Sequence, residues 1–259
     1  MRRMLTLILP AFVLAFVALY VAACAALYAW QRSLQYFPQP RRLGPVHLAR
    51  SFASGDATLQ LTVREHAGPG AVLYFGGNGE DVSGSLEPLA RAFPGRALVL
   101  MHYRGYGGST GQPTEQALAE DAARLFDDVH ARHPDVIVVG RSLGTGVAVR
   151  LASARPASRL VLVTPYDSLL EIAAGQFPFF PVRRLLIDKY ESWRYVPRIA
   201  APTLILAAER DEVIPARSSA QLRDRFPAGQ VRYVVVAGAS HNTIQDEPAY
   251  VREMAAFGG

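Results

Sequence analysis

Cysteine and lysine are nearly missing from this chain. Its 259 residues include one cysteine, Cys24. A disulfide framework is therefore impossible within one chain, and so is a zinc site built from several thiolates. Of the 27 basic residues, Lys189 is the one lysine and the others are arginines. They are scattered: no basic run exceeds two, and setting aside Arg2 and Arg3 lowers the net charge from +5 to +3 (5 − 2). A nucleic-acid binder gathers its positive charge on one face or run, so no nucleic-acid partner is expected. Charged residues make up only 19% against 50% hydrophobic ones, which excludes global disorder and provides for a large core. The length suits one full-sized domain and is short for two.

Residues 4–30 carry no charge. As a helix, residues 11–30 would span about 30 Å, the hydrocarbon thickness of a bilayer. Tyr20, Tyr28 and Trp30 suit the interfaces, and Arg2, Arg3 and Arg32 flank the stretch. The expectation is an uncleaved single-pass N-terminal anchor, because the apolar core of a cleaved signal is usually only ~7–15 residues. A cleaved signal, with Ala23-Cys24-Ala25 as its small-residue site, is a minor alternative. Lipidation at Cys24, within Val21-Ala22-Ala23-Cys24, is another. The plain reading of Cys24 is a small apolar residue in a membrane helix. Basic residues balance on the two sides, so the side of the membrane is undecided. Residues 31–45 hold Pro38, Pro40 and Pro45 and read as a linker, with Leu34, Tyr36 and Phe37 resting on the membrane surface.

From residue 46 onward, short apolar runs alternate with helical patterns. Strands are expected over 46–52, 58–66, 71–75, 97–101, 136–139, 160–164, 203–208 and 231–237, the first two joined by a turn at Ser54-Gly55-Asp56. Continuous apolar runs of this length are what strands buried on both faces require. Helices are expected over 82–92, 115–132, 143–154, 216–226 and 244–257, with Thr114 as N-cap of the second. The alternation indicates an α/β domain over 46–259 with a mostly parallel sheet and helices on both faces.

Gly140-Arg141-Ser142-Leu143-Gly144 follows one apolar run and opens a helix. This is the strand–turn–helix setting of a nucleophile elbow. Glycine two residues before and after Ser142 removes the Cβ atoms that so tight a turn would crowd. A serine hydroxyl needs a base. His241, in a loop after the last strand, is the natural choice. His102, after the fourth strand, is the other histidine able to approach. His47 and His66 fall in the leading strands, and His130 and His133 end a helix. Asp211, just after the strand over 203–208, would orient His241, giving the chain order Ser142, Asp211, His241. Asp167 is the rival acid, or else a helix cap before Ser168; Glu212 is expected in solvent. The fourth element is Phe75-Gly76-Gly77-Asn78-Gly79. There the amide of Asn78, with that of Leu143, would make an oxyanion hole.

These motifs, together with Tyr103-Arg104-Gly105-Tyr106-Gly107, Tyr166-Asp167-Ser168-Leu169, Asp211-Glu212-Val213-Ile214-Pro215 and Ser240-His241-Asn242, resemble the α/β-hydrolase superfamily over residues 46–259. Within it the chain looks most like the membrane-anchored BEM46-like serine hydrolases. The resemblance implies an eight-stranded sheet, the triad Ser142, Asp211 and His241, oxyanion amides at Asn78 and Leu143, and no cofactor. Two positions depart from the pattern. Gly76 stands where a histidine usually precedes Gly-Asn, and His102 where an aspartate usually precedes Tyr-Arg-Gly. Both bear on the rim of the pocket.

The expected chemistry is two-step acyl transfer through an acyl-serine, on carboxylic esters or thioesters, with a small-molecule or lipid-like acyl substrate. An acyltransferase using the same triad and a non-catalytic binding protein on the same scaffold are the alternatives. Residues 166–196 form an insert longer than a crossover requires, rich in aromatics at Phe177, Phe179 and Phe180. It is either a short cap that receives an acyl chain or a helix that merely covers the sheet.

Overall fold

Valine, leucine and isoleucine dominate the apolar runs, and their side chains pack well on a pleated surface. In the computed structural model, which describes residues 2–43 and 48–258 and side chains from residue 10, these runs form eight strands. They are β1 (Ala49–Ser54), β2 (Ala57–Arg64), β3 (Gly70–Phe75), β4 (Ala97–Met101), β5 (Asp135–Arg141), β6 (Arg159–Val163), β7 (Thr203–Arg210) and β8 (Val231–Ser240). The sheet order is β1-β2-β4-β3-β5-β6-β7-β8. β2 pairs antiparallel with β1 and β4, and every pairing from β4 to β8 is parallel. The first residues expected of the leading strand, Val46 and His47, lie outside the described residues. Its turn is as expected: Ser54 pairs with Ala57, and Gly55 takes the positive φ (60°) that so short a hairpin needs.

The helices are α1 (Arg2–Gln35), α2 (Leu86–Ala92), α3 (Glu115–Arg132), α4 (Leu143–Ala152), α5 (Leu169–Gln176), α6 (Val182–Leu185), α7 (Ala216–Asp224) and α8 (Pro248–Gly258). The Thr114 side chain caps α3 by accepting from the Ala117 amide at 3.0 Å. The helix expected over 82–92 is preceded by a 3-10 turn at Val82–Ser85, where the Asp81 carboxylate accepts from the Ser83 amide. The last expected helix is also divided: a 3-10 turn at Ile244–Asp246 precedes α8, which Pro248 opens.

Successive strand side chains point to opposite faces. Leu73 and Phe75 of β3 therefore enter the core closed by α3 and α4, with Leu125, Phe126 and Val147. Val72 and Tyr74 enter the core closed by α2 and α8, with Leu89 and Met254. Full burial of such a side chain contributes about 1.5–3 kcal/mol, which is why the central strands are apolar on both faces. The parallel pairing has a second consequence. The carboxyl ends of β3, β5, β7 and β8 share one edge, and the loops leaving that edge carry the candidate residues.

The N-terminal region differs from a membrane helix followed by a linker. α1 continues through Gln35, five residues beyond Trp30, and stops before Pro38. Its last turn is held by polar contacts: Arg32 Nε lies 3.2 Å from Asp188 Oδ2, and Gln35 Nε2 donates to the Asp188 carbonyl at 2.9 Å. Tyr36 does not rest on a membrane surface. It is 3% exposed, and its hydroxyl lies 2.9 Å from that of Tyr190. Beyond it, Arg42 and Leu43 donate their amides to the Asp81 carboxylate.

Candidate active site

Ser142 joins β5 to α4 at φ 48°, ψ −117°, a backbone conformation that costs a non-glycine residue about 1–3 kcal/mol. Both flanking glycines are required by space. A Cβ on Gly140 would lie 2.5 Å from the Gly144 carbonyl oxygen, and one on Gly144 only 2.1 Å from that of Phe75. The Ser142 hydroxyl makes no capping bond to its own helix, so the serine is not there as an N-cap. Leu143 is the first residue of α4, and its N–H is one of the four that a helix leaves without an internal acceptor.

His241 brings the distant parts together. Its Nε2 lies 2.9 Å from Ser142 Oγ, and its Nδ1 lies 3.0 Å from both Asp211 oxygens. The side chains of His241 and Asp211 are 6% and 4% exposed. Asp211 is itself held: its Oδ1 accepts from the amides of Val213 (3.0 Å) and Ile214 (2.7 Å). An aspartate fixed in this way favours the imidazole tautomer with its proton on Nδ1, leaving Nε2 free to accept from serine. Glu212 is exposed, as expected, yet its Oε2 accepts from the His241 amide at 3.1 Å and so helps hold the loop.

The loop after β3 closes the site from the other side. A Cβ on Gly77 would stand 3.5 Å from Ser142 Cβ, so this backbone runs directly beside the serine. The Asn78 side chain faces away from the serine and clamps the end of α1. Its Nδ2 donates to the Gln35 carbonyl at 2.6 Å, and its Oδ1 accepts from the Phe37 amide at 3.0 Å and from Tyr106 at 2.7 Å. Two residues that sequence reasoning missed organise the loop. Glu80 Oε2 accepts from the Gly77 amide (2.6 Å) and from Arg141 Nη1 (3.0 Å), and its Oε1 accepts from Tyr74 and Ser85. Arg141 Nη2 in turn donates to the His241 carbonyl at 3.3 Å. Burial lowers the Arg141 pKa, but the Glu80 charge and hydrogen bond, together with Tyr74 and Tyr250, outweigh it and hold the guanidinium above its ordinary range. The only sequence signal was that Arg141 lies inside the glycine elbow, where a long charged side chain needs a counter-charge.

The rival residues are placed elsewhere. Asp167 pairs with Arg225 at 3.4 Å, and the cap of α5 is Ser168, whose hydroxyl accepts from the Glu171 amide. Burial raises the Asp167 pKa. His102 is buried beneath Gly107, its Nε2 lying 3.0 Å from Thr62 Oγ1 and 3.4 Å from Ser83 Oγ. Burial lowers its pKa to about 4, so it is neutral at neutral pH. Among the described residues, no group of three His, Cys, Asp or Glu side chains converges in a way that would hold a metal ion.

This sheet, with a serine on a strained strand-to-helix turn in contact with a histidine, defines an alpha/beta hydrolase fold, and residues 65–185 match the profile of that family. The chain belongs to the alpha/beta hydrolase fold family. It is 39% identical over 252 residues to the uncharacterized protein Rv2307c of Mycobacterium tuberculosis, covering 89% of this chain and 87% of that one. It is also 32% identical over 169 residues to the lysophosphatidylserine lipase ABHD12 of Mus musculus, covering 56% of this chain and 42% of the lipase. Among solved structures, the esterase Pf2001 of Pyrococcus furiosus superposes with a TM-score of 0.68 at 18% identity, over 85% of this chain and 98% of the esterase. At that identity the likeness is one of fold.

Proposed function

We propose that this protein is a membrane-anchored serine hydrolase of carboxylic esters or thioesters, with lipid-like acyl groups as its preferred substrates. One observation carries the reading: the continuous chain of contacts from Ser142 Oγ through His241 to Asp211. The Ser142 proton moves to His241 Nε2 as Oγ bonds to the substrate carbonyl carbon. The oxygen that becomes negative is stabilised by the amides of Asn78 and Leu143, a type of donor typically worth ~3–4 kcal/mol each. The leaving alcohol or thiol takes the proton from His241, and an acyl-serine remains. Water then gives its proton to His241, adds to the acyl carbon and releases the acid, and Ser142 regains its proton. Asp211 stabilises the imidazolium that forms in each half.

Two features support the lipid-like preference and the anchor. One relative is a lysophosphatidylserine lipase. Over Pro10–Gln35 the chain has a helix long and apolar enough to cross a bilayer, and large side chains such as Phe12, Phe16 and Leu19 are 66–72% exposed. The test is labelling with a fluorophosphonate probe, followed by turnover of an ester series of graded acyl length. Wild type should label and Ser142→Ala should not. Absence of label on the folded wild-type chain would overturn the reading. Full release of the protein from carbonate-washed membranes would remove the anchor.

A further inference from the structure

We infer that the tip of the insert between β6 and β7, at Phe177–Pro181, is immersed in the bilayer beside α1. This deepens the anchored-hydrolase reading and rests on the membrane-anchor part of it. The tip does not project freely. The Tyr20 hydroxyl donates to the Phe179 carbonyl at 2.8 Å, and the Tyr20 ring stacks on Phe180 with centroids 5.9 Å apart and planes 9° apart. Toward the domain, the insert stays fastened to the same helix. Gln31 accepts from the Ile187 amide at 2.8 Å and donates to the Leu185 carbonyl, and Arg32 pairs with Asp188. The position of α1 in a membrane therefore fixes the depth of the tip.

That depth follows from length. A hydrocarbon core takes about 20 helical residues. The uncharged stretch covers residues 4–30, so the core-spanning window lies somewhere between 4–23 and 11–30. Tyr20 falls inside every such window rather than at an interface, three to ten residues from its domain-side end, which is about 5–15 Å into the core at 1.5 Å per residue, with its hydroxyl satisfied by the Phe179 carbonyl. Whatever touches Tyr20 is at the same level. The composition of the tip agrees: residues 172–182 carry no charge, Arg183 and Arg184 follow where the chain returns toward Gln31, Phe179 is 84% exposed and Phe177 50% exposed. Side chains of this kind, left in water by the protein, are matched by acyl chains, and amphipathic elements reach ~5–10 Å below the headgroups in the same way. The start of the insert packs against the nucleophile helix, where the buried Tyr166 hydroxyl donates to the Leu143 carbonyl at 3.1 Å.

The test uses the full-length chain in phosphatidylcholine proteoliposomes. With Cys24→Ala as background, single cysteines are placed by Phe179→Cys, by Phe16→Cys in α1 and by Arg132→Cys on the domain surface, and each carries a bimane probe. Doxyl-labelled acyl chains should quench the Phe179 and Phe16 probes at least twofold while aqueous iodide leaves them unchanged, and the Arg132 probe should show the reverse. Lipid quenching at position 16 with iodide quenching at position 179 would overturn the immersed tip and leave the anchor standing. Iodide quenching at both would overturn the anchor and this inference together.

Discussion

Glu80→Gln is the substitution that most directly tests how the site is held. Each carboxylate oxygen receives two donors: Tyr74 (2.8 Å) and Ser85 (2.6 Å) on Oε1, the Gly77 amide (2.6 Å) and Arg141 (3.0 Å) on Oε2. With NH2 in place of Oε1 the Tyr74 and Ser85 hydroxyls can turn to accept, whereas NH2 in place of Oε2 would face two donors; either way the negative charge is lost. The Arg141 side chain, 9% exposed, is left without its counter-charge. Hydrogen bonds to charged groups contribute about 1.5–3 kcal/mol each, and removing one partner of a buried pair costs about 3–5 kcal/mol. The two figures describe overlapping contacts, so the expected loss is about 3–5 kcal/mol in urea unfolding. The Gly77 amide is also left with a neutral acceptor in place of a charged one, and a shift of the proposed oxyanion donor at Asn78 would lower kcat by about 10²–10³-fold. Turnover of a soluble p-nitrophenyl ester reads that effect, with KM changing less. Glu80→Asp keeps the charge on a shorter arm, so it should recover part of the stability and little of kcat. A Glu80→Gln protein with an unchanged unfolding midpoint and kcat within twofold of wild type would refute the reasoning.

Asp211→Asn should keep the fold and lower kcat about 10⁴-fold by favouring the wrong imidazole tautomer, whereas Asp167→Asn should stay within about threefold of wild type; the reverse pattern on one ester substrate would show that the acid was misassigned. His102 is neutral in the fold, with its pKa lowered by burial from 6.5 to about 4. The stability it contributes is complete above pH 6.5 and lost as pH falls toward 4, at about 1.4 kcal/mol per pH unit. His102→Gln should therefore flatten the pH dependence of urea unfolding between 6.5 and 4 by up to about 3 kcal/mol, and parallel curves for the two proteins would exclude this. Deleting residues 1–30 should give a soluble enzyme with its kcat on soluble esters intact. Deleting residues 1–43 should lower kcat at least tenfold, because Asn78 loses the Gln35 and Phe37 contacts, each worth ~0.5–1.5 kcal/mol.

Most of the sheet was legible because each strand is a short apolar run bounded by turn residues, and the sequence reading found all eight of them within a few residues of their ends. Ser142 was legible for a steric reason, since few contexts other than this turn need glycine on both sides at that spacing. His241 and Asp211 followed from chain order and from their places after strands. Glu80 was not legible. Its partners Tyr74, Gly77, Ser85 and Arg141 meet only because β5 lies next to β3 in the sheet, and no local pattern in the sequence records that adjacency. The end of α1 was hidden for the same reason. A proline-rich stretch with one tyrosine reads as a linker, and the residues that bury Tyr36 lie more than 150 positions away, with separations of 152 and 154.

The two departures from the family pattern are each accommodated by contacts of this chain. A side chain at position 76 has no room, because its Cβ would lie 2.4 Å from Val82 and 3.1 Å from the Glu80 carboxyl carbon. Val82 takes the space that a side chain there would enter, and Glu80, next to it, turns its carboxylate toward the Gly77 amide and Arg141. Position 102 lies near two carboxylates, Asp81 and Glu80. A buried aspartate there would add a third negative charge, whereas His102, neutral at neutral pH, adds none and bonds to Thr62 and Ser83 instead. Arg141 bridges the glycine loop and the His241 carbonyl with one guanidinium, and the rim is set by this ion pair.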